Sequence, residues 1–194
     1  MDSKERAYRT LVVSVSESFN TSLKAILNEW NLSPVRFVGS ISAAKREVLE
    51  QRYDLIIVNS PLPDDAGVRF SIDESGTNPS VVLLAVRAEQ YGAMFEKVSE
   101  HGVYLLSKPS SRGMVTSVMD WMVTTRERLK KMETKTTTLE EKMQEIRTVN
   151  RAKWVLIERL NMTESDAHRY IEKQAMDRCV PKREIAEEII RTYS

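Results

Sequence analysis

Residues 1 to about 112 alternate short apolar runs with longer, more polar stretches. Five runs are rich in Val, Ile and Leu, and each is bounded by polar or turn residues: TLVVSV (10–15), VRFVGS (35–40), DLIIVN (54–59), SVVLLAV (80–86) and GVYLLS (102–107). Runs of this length and composition are typical of strands that are buried on both faces of a parallel sheet. The intervening stretches are long enough for crossover helices, so the pattern predicts an α/β fold.

The stretches between the apolar runs are amphipathic. In residues 18–30, SFNTSLKAILNEW, the apolar side chains fall on one face of a helix. Five strands that alternate with such helices form a doubly wound, flavodoxin-like domain with a parallel sheet, which we assign to residues 1–117. The functional crevice of this fold lies at the carboxyl ends of the strands. The residues that we expect near one another at this edge are Ser14, Asn59, Ala85 and Lys108.

Beyond Pro109 the strand pattern stops, and residues 118–150 carry a seven-residue repeat. One series of repeat positions holds Met122, Leu129, Thr136, Met143 and Asn150, and the other holds Val118, Thr125, Met132, Leu139 and Ile146. Since charged residues fill most other positions, the two series correspond to the a and d seam of a coiled coil. We predict a long linker helix whose partner is most simply that of a second copy. Alternatively, METKTTTLEEK (132–142) is a flexible hinge between two helices.

Residues 151–194 predict three helices, the first of which continues from the linker helix. NMT at 161–163 ends the first helix, and Thr163 offers an N-cap hydroxyl to a second helix over about 164–178. Pro181 suits the first turn of the third helix. The residues expected in the core of this module are Trp154, Ala167, Tyr170, Ile171, Ala175, Met176, Ile185, Ala186, Ile189 and Ile190.

Composition narrows the classes of function. The formal net charge is +1, so any basic surface is local. The sequence contains one cysteine (Cys179) and two histidines (His101 and His168), which favours neither a disulfide nor a metal centre. It shows no pairing of a nucleophile with a base that would indicate an enzyme. No run is long enough to span a membrane, and MDSKERAYR lacks the apolar core of a signal peptide. We expect a cytoplasmic protein without a cofactor.

Residues 8–125 resemble the receiver domain of bacterial response regulators, through the spacing of DLIIVNSPLPDDAG (54–67) and LLSKP (105–109). In that family an acidic pair after the first strand holds magnesium, and an aspartate that ends the third strand takes the phosphoryl group. A Ser or Thr follows the fourth strand, and Lys-Pro follows the fifth. The corresponding residues here are, in that order, Ser14 with Val15, Asn59, Ala85, and Lys108 with Pro109.

These departures from the receiver pattern imply a fold without phosphotransfer, a pseudo-receiver. An amide cannot form an acyl phosphate, and Ser14 and Val15 supply no carboxylate for a hard cation. The carboxylates left to replace them are Glu17, Asp64 and Asp65. Lys108 is either a remnant of ancestry or a residue that is hydrogen-bonded to Asn59, which spares a buried ammonium.

A second resemblance is carried by RAKWVLIERLNMTESDAHRYIEKQAM (151–176) followed by IAEEII (185–190). Through these segments, residues 140–192 resemble the ANTAR domain, the RNA-binding module of transcription antitermination regulators. The matching pairs are Ala152 with Lys153, Thr163 with Glu164, Ala175 with Met176, and Ile185 with Ala186. Two residues depart from the family pattern: His168 stands where an aromatic residue is common, and Glu172 where a basic or polar residue is common.

RNA recognition needs cations for the phosphates and groups that reach or stack on unpaired bases. Arg169 and Lys173 are four residues apart and share a helix face. With the ANTAR resemblance, the residues predicted to contact RNA are Arg151, Lys153, Arg169, Lys173, Arg178 and Lys182. The alternative is that these charges form an ordinary solvated surface. His168 either stacks on a base or lies at the helix surface.

The resemblance also implies a mechanism. In the family, a dimer binds paired hairpin loops in nascent mRNA and prevents formation of a terminator. Here either the homodimer is constitutive, or something other than aspartyl phosphorylation would control it, such as a sensor protein or a small ligand in the crevice. Two other functions stay open: a DNA-binding transcription factor and a protein-interaction adaptor. Against the first, NMTESDAHRYIEKQAM lacks the glycine-containing turn that usually precedes a recognition helix.

Overall fold

The computed structural model describes residues 7–30 and 32–193. The chain divides into two compact units, Met1–Lys131 and Met132–Ser194. The division falls within the predicted linker, beyond residue 117, because the first turns of the long helix are buried in the core of the first unit. Each unit has a hydrophobic core of its own.

The first unit is built on five parallel strands in the order β2-β1-β3-β4-β5. The strands are β1 (Thr10–Val13), β2 (Val35–Val38), β3 (Leu55–Asn59), β4 (Val81–Arg87) and β5 (Tyr104–Lys108). Four helices alternate with them: α1 (Glu17–Glu29), α2 (Ile41–Glu50), α3 (Val68–Thr77) and α4 (Tyr91–Val98). This strand order is that of the flavodoxin-like fold, so the predicted fold class is confirmed.

Both faces of the sheet are covered. Along β1, Val12 packs into one core with α1, whereas Leu11 and Val13 pack into a second core on the other face. Successive side chains of a strand point to opposite faces, so a strand that is buried on both sides needs apolar residues throughout. This requirement is the reason that the strands appear in the sequence as continuous apolar runs.

Local chemistry sets where the helices begin. Ser16 precedes α1 and accepts a hydrogen bond from the Phe19 N–H, and Ser40 precedes α2 and accepts one from the Ala43 N–H. Gly67 precedes α3 with a φ angle of 77°. A Cβ atom at this position would lie 2.6 Å from Cγ1 of Val58, so glycine is required both for its backbone angle and for the space.

The long helix α5 (Arg112–Leu160) includes METKTTTLEEK (132–142), in agreement with the prediction of one long helix. Its upstream seam residues Val118 and Met122 are buried in the first core, together with Met119. The downstream seam residues are exposed: Met132, Leu139, Met143 and Ile146. Among the described residues, no helix is both long and apolar enough to cross a lipid bilayer.

The second unit packs the end of α5 against α6 (Glu164–Arg178) and α7 (Lys182–Tyr193). Its core contains Ala152, Leu156, Ala167, Ile171, Ala175, Ile185, Ala186 and Ile189. Thr163 caps α6 by accepting a hydrogen bond from the Asp166 N–H at 3.1 Å, as the sequence predicted. The predicted helix boundaries at 164–178 are also confirmed.

Three residues expected in this core lie outside it. Trp154, Tyr170 and Met176 have exposed fractions of 64%, 39% and 76%. Trp154 stands two residues from both Ala152 and Leu156, which puts it on the opposite side of α5. The buried residues of α6, Ala167, Ile171 and Ala175, are spaced by four, and Met176 is the residue after the last of them. The prediction for these three side chains was therefore wrong.

Candidate functional site

Three predicted residues at the carboxyl edge of the sheet are joined by hydrogen bonds. Lys108, at the end of β5, donates from its ammonium to Oδ1 of Asn59 and to the carbonyl oxygen of Ser60, each at 2.5 Å. Asn59, at the end of β3, donates from Nδ2 to Oγ of Ser14 at 3.0 Å. Asn59 and Ser14 are buried. Of the two interpretations of Lys108, the structure therefore supports the one in which it is hydrogen-bonded to Asn59.

The two other predicted members of this edge are separate from the network. Ala85 pairs with Asn59 in the register of β3 and β4 and is fully buried. Its methyl side chain offers no hydroxyl to a phosphoryl group. Val15 follows Ser14 with 53% of its surface exposed and supplies no ligand for a cation. The edge therefore contains a lysine, an amide and a serine without a carboxylate among its hydrogen-bonded groups.

Lys108 is held by neutral acceptors. Burial lowers the pKa of its amine, and the charge of Arg87 lowers it further. No carboxylate is among its described hydrogen-bond partners to raise the pKa again. The amide and carbonyl oxygens accept hydrogen bonds from two of the three N–H donors of the ammonium.

The nearby carboxylates have structural partners. Asp64 accepts hydrogen bonds from the Ile41 N–H at 3.0 Å and from the Ser42 N–H at 2.9 Å, and so binds the first turn of α2. Asp65 accepts from the Gly67 N–H at 2.6 Å. Within the described residues, no three His, Cys, Asp or Glu side chains are grouped so as to hold a metal ion.

Three of the six residues predicted to contact RNA are in ion pairs within the second unit. Lys153 lies 3.1 Å from Glu164, Arg178 lies 2.6 Å from Glu188, and Lys182 pairs with Glu172. Glu172 is also 3.3 Å from Nε2 of His168. The pairs of Arg178 and Lys182 are exposed and contribute little to stability, so a phosphate can replace the carboxylate there at modest cost. The Lys153 side chain is only 16% exposed.

The other three predicted residues, Arg151, Arg169 and Lys173, are exposed. None of them has an ion-pair partner among the described residues. Arg169 and Lys173 lie on the outer face of α6, and helical spacing puts Asp166 and Asp177 on the same face. Arg151 belongs to α5, on a different surface. The six cations are therefore distributed over more than one surface of the module.

Sequence reasoning did not place two further arginines and one aromatic residue beside Arg151. Arg147 and Arg191 line an open groove with Arg151, between α5 and α7. Trp154 is one turn beyond Arg151 on α5 and is largely exposed. The signal in the sequence was helical phase, because Arg147, Arg151 and Trp154 follow the spacing i, i+4, i+7.

Solved structures similar to the first unit are receiver domains. One, from an HD-domain-containing protein of Pseudomonas fluorescens Pf-5, is 16% identical with a TM-score of 0.58 and covers 68% of this chain and 97% of that one. The beryllofluoride-activated NtrC4 receiver domain is 25% identical with a TM-score of 0.53, covering 62% and 98%. Fold and strand order thus place the first unit in the class of receiver-like domains.

The second unit contains a match to a known domain family. Residues 137–190 match the ANTAR domain. The chain is also 26% identical over 193 residues to the transcriptional regulatory protein PdtaR of Mycobacterium tuberculosis, in strains CDC 1551 and H37Rv, covering 95% of this chain and 90% of that protein. The chain therefore combines a receiver-like N-terminal domain with a C-terminal ANTAR domain, and this combination supports an ANTAR response regulator of the transcription antitermination type.

The hydrogen bonds to Asp64 predict a pH dependence of stability. Donation from the Ser42 and Ile41 N–H groups lowers the pKa of Asp64 from 3.8 to about 2 in the folded chain. A carboxyl with a lowered folded pKa stabilises the fold above its unfolded pKa, and this stabilisation is lost as the pH falls through about 2. Asp64→Asn should therefore lower the urea midpoint of unfolding most at neutral pH, with the difference from wild type shrinking between pH 3.8 and about 2.

The matched control is Asp120→Asn, which removes the same charge at an exposed position of α5. A midpoint difference for Asp64→Asn that is the same at neutral pH and at the acidic limit would contradict the capping role of this carboxylate.

Proposed function

We propose that this regulator binds hairpin loops in nascent mRNA through its helical module, as a homodimer held by α5, and so prevents formation of a terminator. The observation that carries the proposal is the ANTAR match over residues 137–190, in a module whose surface presents exposed cations. In this proposal residues 1–117 are a pseudo-receiver, 118–150 a coiled-coil linker and 151–194 the RNA-binding module.

The charge arrangement of the module supports RNA binding. Arg151, Arg169 and Lys173 are exposed and have no ion-pair partner among the described residues, so they meet phosphates without breaking a pair. Lys153 and Lys182 exchange a carboxylate for a phosphate on binding. Both kinds of contact release counterions from the RNA, so the affinity should fall with salt concentration.

The exposed apolar stripe of α5 supports a dimer. Met132, Leu139 and Ile146 recur every seven residues, and Met143 lies between the last two. Their exposed fractions run from 47% to 60% in the single chain, and together they form an apolar stripe on a charged helix, as an interaction surface does. A second copy of the same helix covers such a seam. Two tethered modules then gain effective concentration for the second of two hairpins.

The network at the sheet edge supports control without aspartyl phosphorylation. Asn59 offers an amide where a receiver has its phosphoacceptor carboxylate, and it already binds both Ser14 and Lys108. Asp64 and Asp65 bind backbone N–H groups. Dimerisation is then either constitutive or set by a sensor protein or a small ligand.

The proposed RNA specificity is tested by competition. The probe is an RNA with two hairpins of randomised loop sequence that has been enriched by binding to the wild-type chain. We expect excess hairpin RNA to disrupt its complex with the protein, and duplex DNA of equal length to leave the complex intact. Arg169→Ala should weaken this complex and reduce the slope of log affinity against log salt by about 0.7, because one phosphate is no longer neutralised. Filter binding over a salt series measures both quantities.

The proposed dimer is tested with Leu139→Glu combined with Ile146→Glu. This variant puts two carboxylates into the exposed apolar stripe and leaves the cores of both units unchanged. This variant should bind a two-hairpin RNA no better than a one-hairpin RNA, whereas the wild type binds the two-hairpin RNA more tightly. Preference for duplex DNA would instead indicate a DNA-binding factor, and binding to neither nucleic acid would indicate an adaptor.

The absence of phosphotransfer is tested separately. With acetyl phosphate and magnesium, we expect no stoichiometric phosphorylation of the wild-type chain. An amide cannot form an acyl phosphate, and the carboxylates of Asp64 and Asp65 already accept hydrogen bonds from backbone N–H groups. Intact-protein mass spectrometry, with a phosphorylatable receiver as the positive control, measures the added mass. Stoichiometric labelling at any residue near Asn59 would contradict the proposal.

A further inference from the structure

An open groove of about 500 Å³ lies within the second unit, between α5 and α7. Its cationic residues are Arg147 and Arg151 from α5 and Arg191 from α7. Ile190 is the apolar residue of its lining. The groove is thus a concave surface with guanidinium groups on both of its walls.

The charge balance of this groove is positive. The one carboxylate in its lining, Glu187, is paired with Arg183 at 2.7 Å. The three groove arginines have no ion-pair partner among the described residues. Guanidinium groups bind phosphate oxygens in a bidentate geometry and are weakly hydrated, so a groove of this kind favours a phosphate-bearing ligand over an apolar one.

Trp154 adds an exposed aromatic surface on α5, one helical turn beyond the groove residue Arg151. It follows Arg147 and Arg151 at the spacing i, i+4, i+7, and 64% of it is exposed. Helical side chains lean toward the amino end of their helix, so its indole lies toward the turn that contains Arg151. The core of the module faces the other way, through Ala152 and Leu156. The indole therefore lies outside the core of the module.

Cations beside an exposed aromatic ring form the combination that single-stranded nucleic acids require. Arginines track the phosphates, and an aromatic face accepts a stacked base of any sequence. A duplex buries its base faces in its own stack, so an exposed indole gains nothing from it. The outer face of α6, in contrast, mixes Arg169 and Lys173 with Asp166 and Asp177.

We propose that the α5–α7 groove is a binding site for single-stranded RNA. Arg147, Arg151 and Arg191 contact consecutive phosphates, and Trp154 stacks on an unpaired base. This inference rests on the proposed RNA-binding function and deepens it, because it assigns the unpaired segment of the RNA to a surface other than the outer face of α6.

The test compares aromatic and charge variants on one probe, the two-hairpin RNA with randomised loops that has been enriched with the wild-type chain. Trp154→Ala should raise Kd at least about fivefold, whereas Trp154→Phe, which keeps a stacking face, should stay close to the wild-type value. Titration with this RNA should quench the tryptophan fluorescence of the wild type, and most of the quenching should be absent in Trp154→Phe.

The charge variant combines Arg147→Gln, Arg151→Gln and Arg191→Gln. It should reduce the slope of log affinity against log salt by about 0.7 for each phosphate that is no longer neutralised. Its matched control combines Lys45→Gln, Arg46→Gln and Arg52→Gln, which removes the same charge from exposed positions of the first unit and should leave the slope unchanged. Circular dichroism verifies that each variant is folded.

Two failures are distinguishable. If the wild-type chain enriches no RNA from the randomised pool, both the proposed function and this site are wrong. If the wild-type chain binds, but Trp154→Ala and the arginine variant bind with wild-type affinity and salt dependence, only the groove proposal is overturned.

Discussion

At the edge of an otherwise apolar sheet, the first unit must supply hydrogen-bond acceptors for one partly buried ammonium group. Lys108 is partly buried at the end of β5, where burial lowers the pKa of its amine. Asn59 and the carbonyl of Ser60 supply its acceptors, and Ser14 accepts a hydrogen bond from the Asn59 amide. The ends of these three strands are thus joined by hydrogen bonds, and an amide, Asn59, stands at the end of β3 in the receiver-like fold.

The sheet and the helix boundaries were predictable because buried positions and helix caps follow short-range patterns in the sequence. Strands covered on both faces become apolar runs, and Thr163 and Pro181 mark helix starts through local hydrogen bonding and fixed backbone angles. The closeness of Ser14, Asn59 and Lys108 also follows from the order of parallel strands. These features need only short-range patterns and one rule of topology.

Other features depend on which neighbour covers a helix face. Val118 and Met122 fit a coiled-coil seam by spacing, but the sheet of the first unit buries them. Trp154 and Met176 are apolar at plausible helical positions, yet the rows through Ala152 and Ala175 are the ones that face the core. Heptad spacing and core spacing differ by a tenth of a residue per turn, about 3.5 against 3.6, so short segments do not separate them.

The ion pairs of the helical module were equally hidden from the sequence. Lys153, Arg178 and Lys182 each pair with a glutamate ten or eleven residues away. Such pairs join different helices, and their formation depends on packing. Some cations of the module are therefore paired with its own carboxylates, whereas others, including the groove arginines, are not. For this reason a count of basic residues alone does not locate a nucleic-acid surface.

The most direct test of the central claim, that this response regulator acts on RNA, is to sequence the RNA crosslinked to it in growing cells of its host. The proposed function predicts enrichment of transcript leaders that contain paired hairpins next to a terminator, relative to uncrosslinked cells. Recovery of no RNA above that background would contradict the claim.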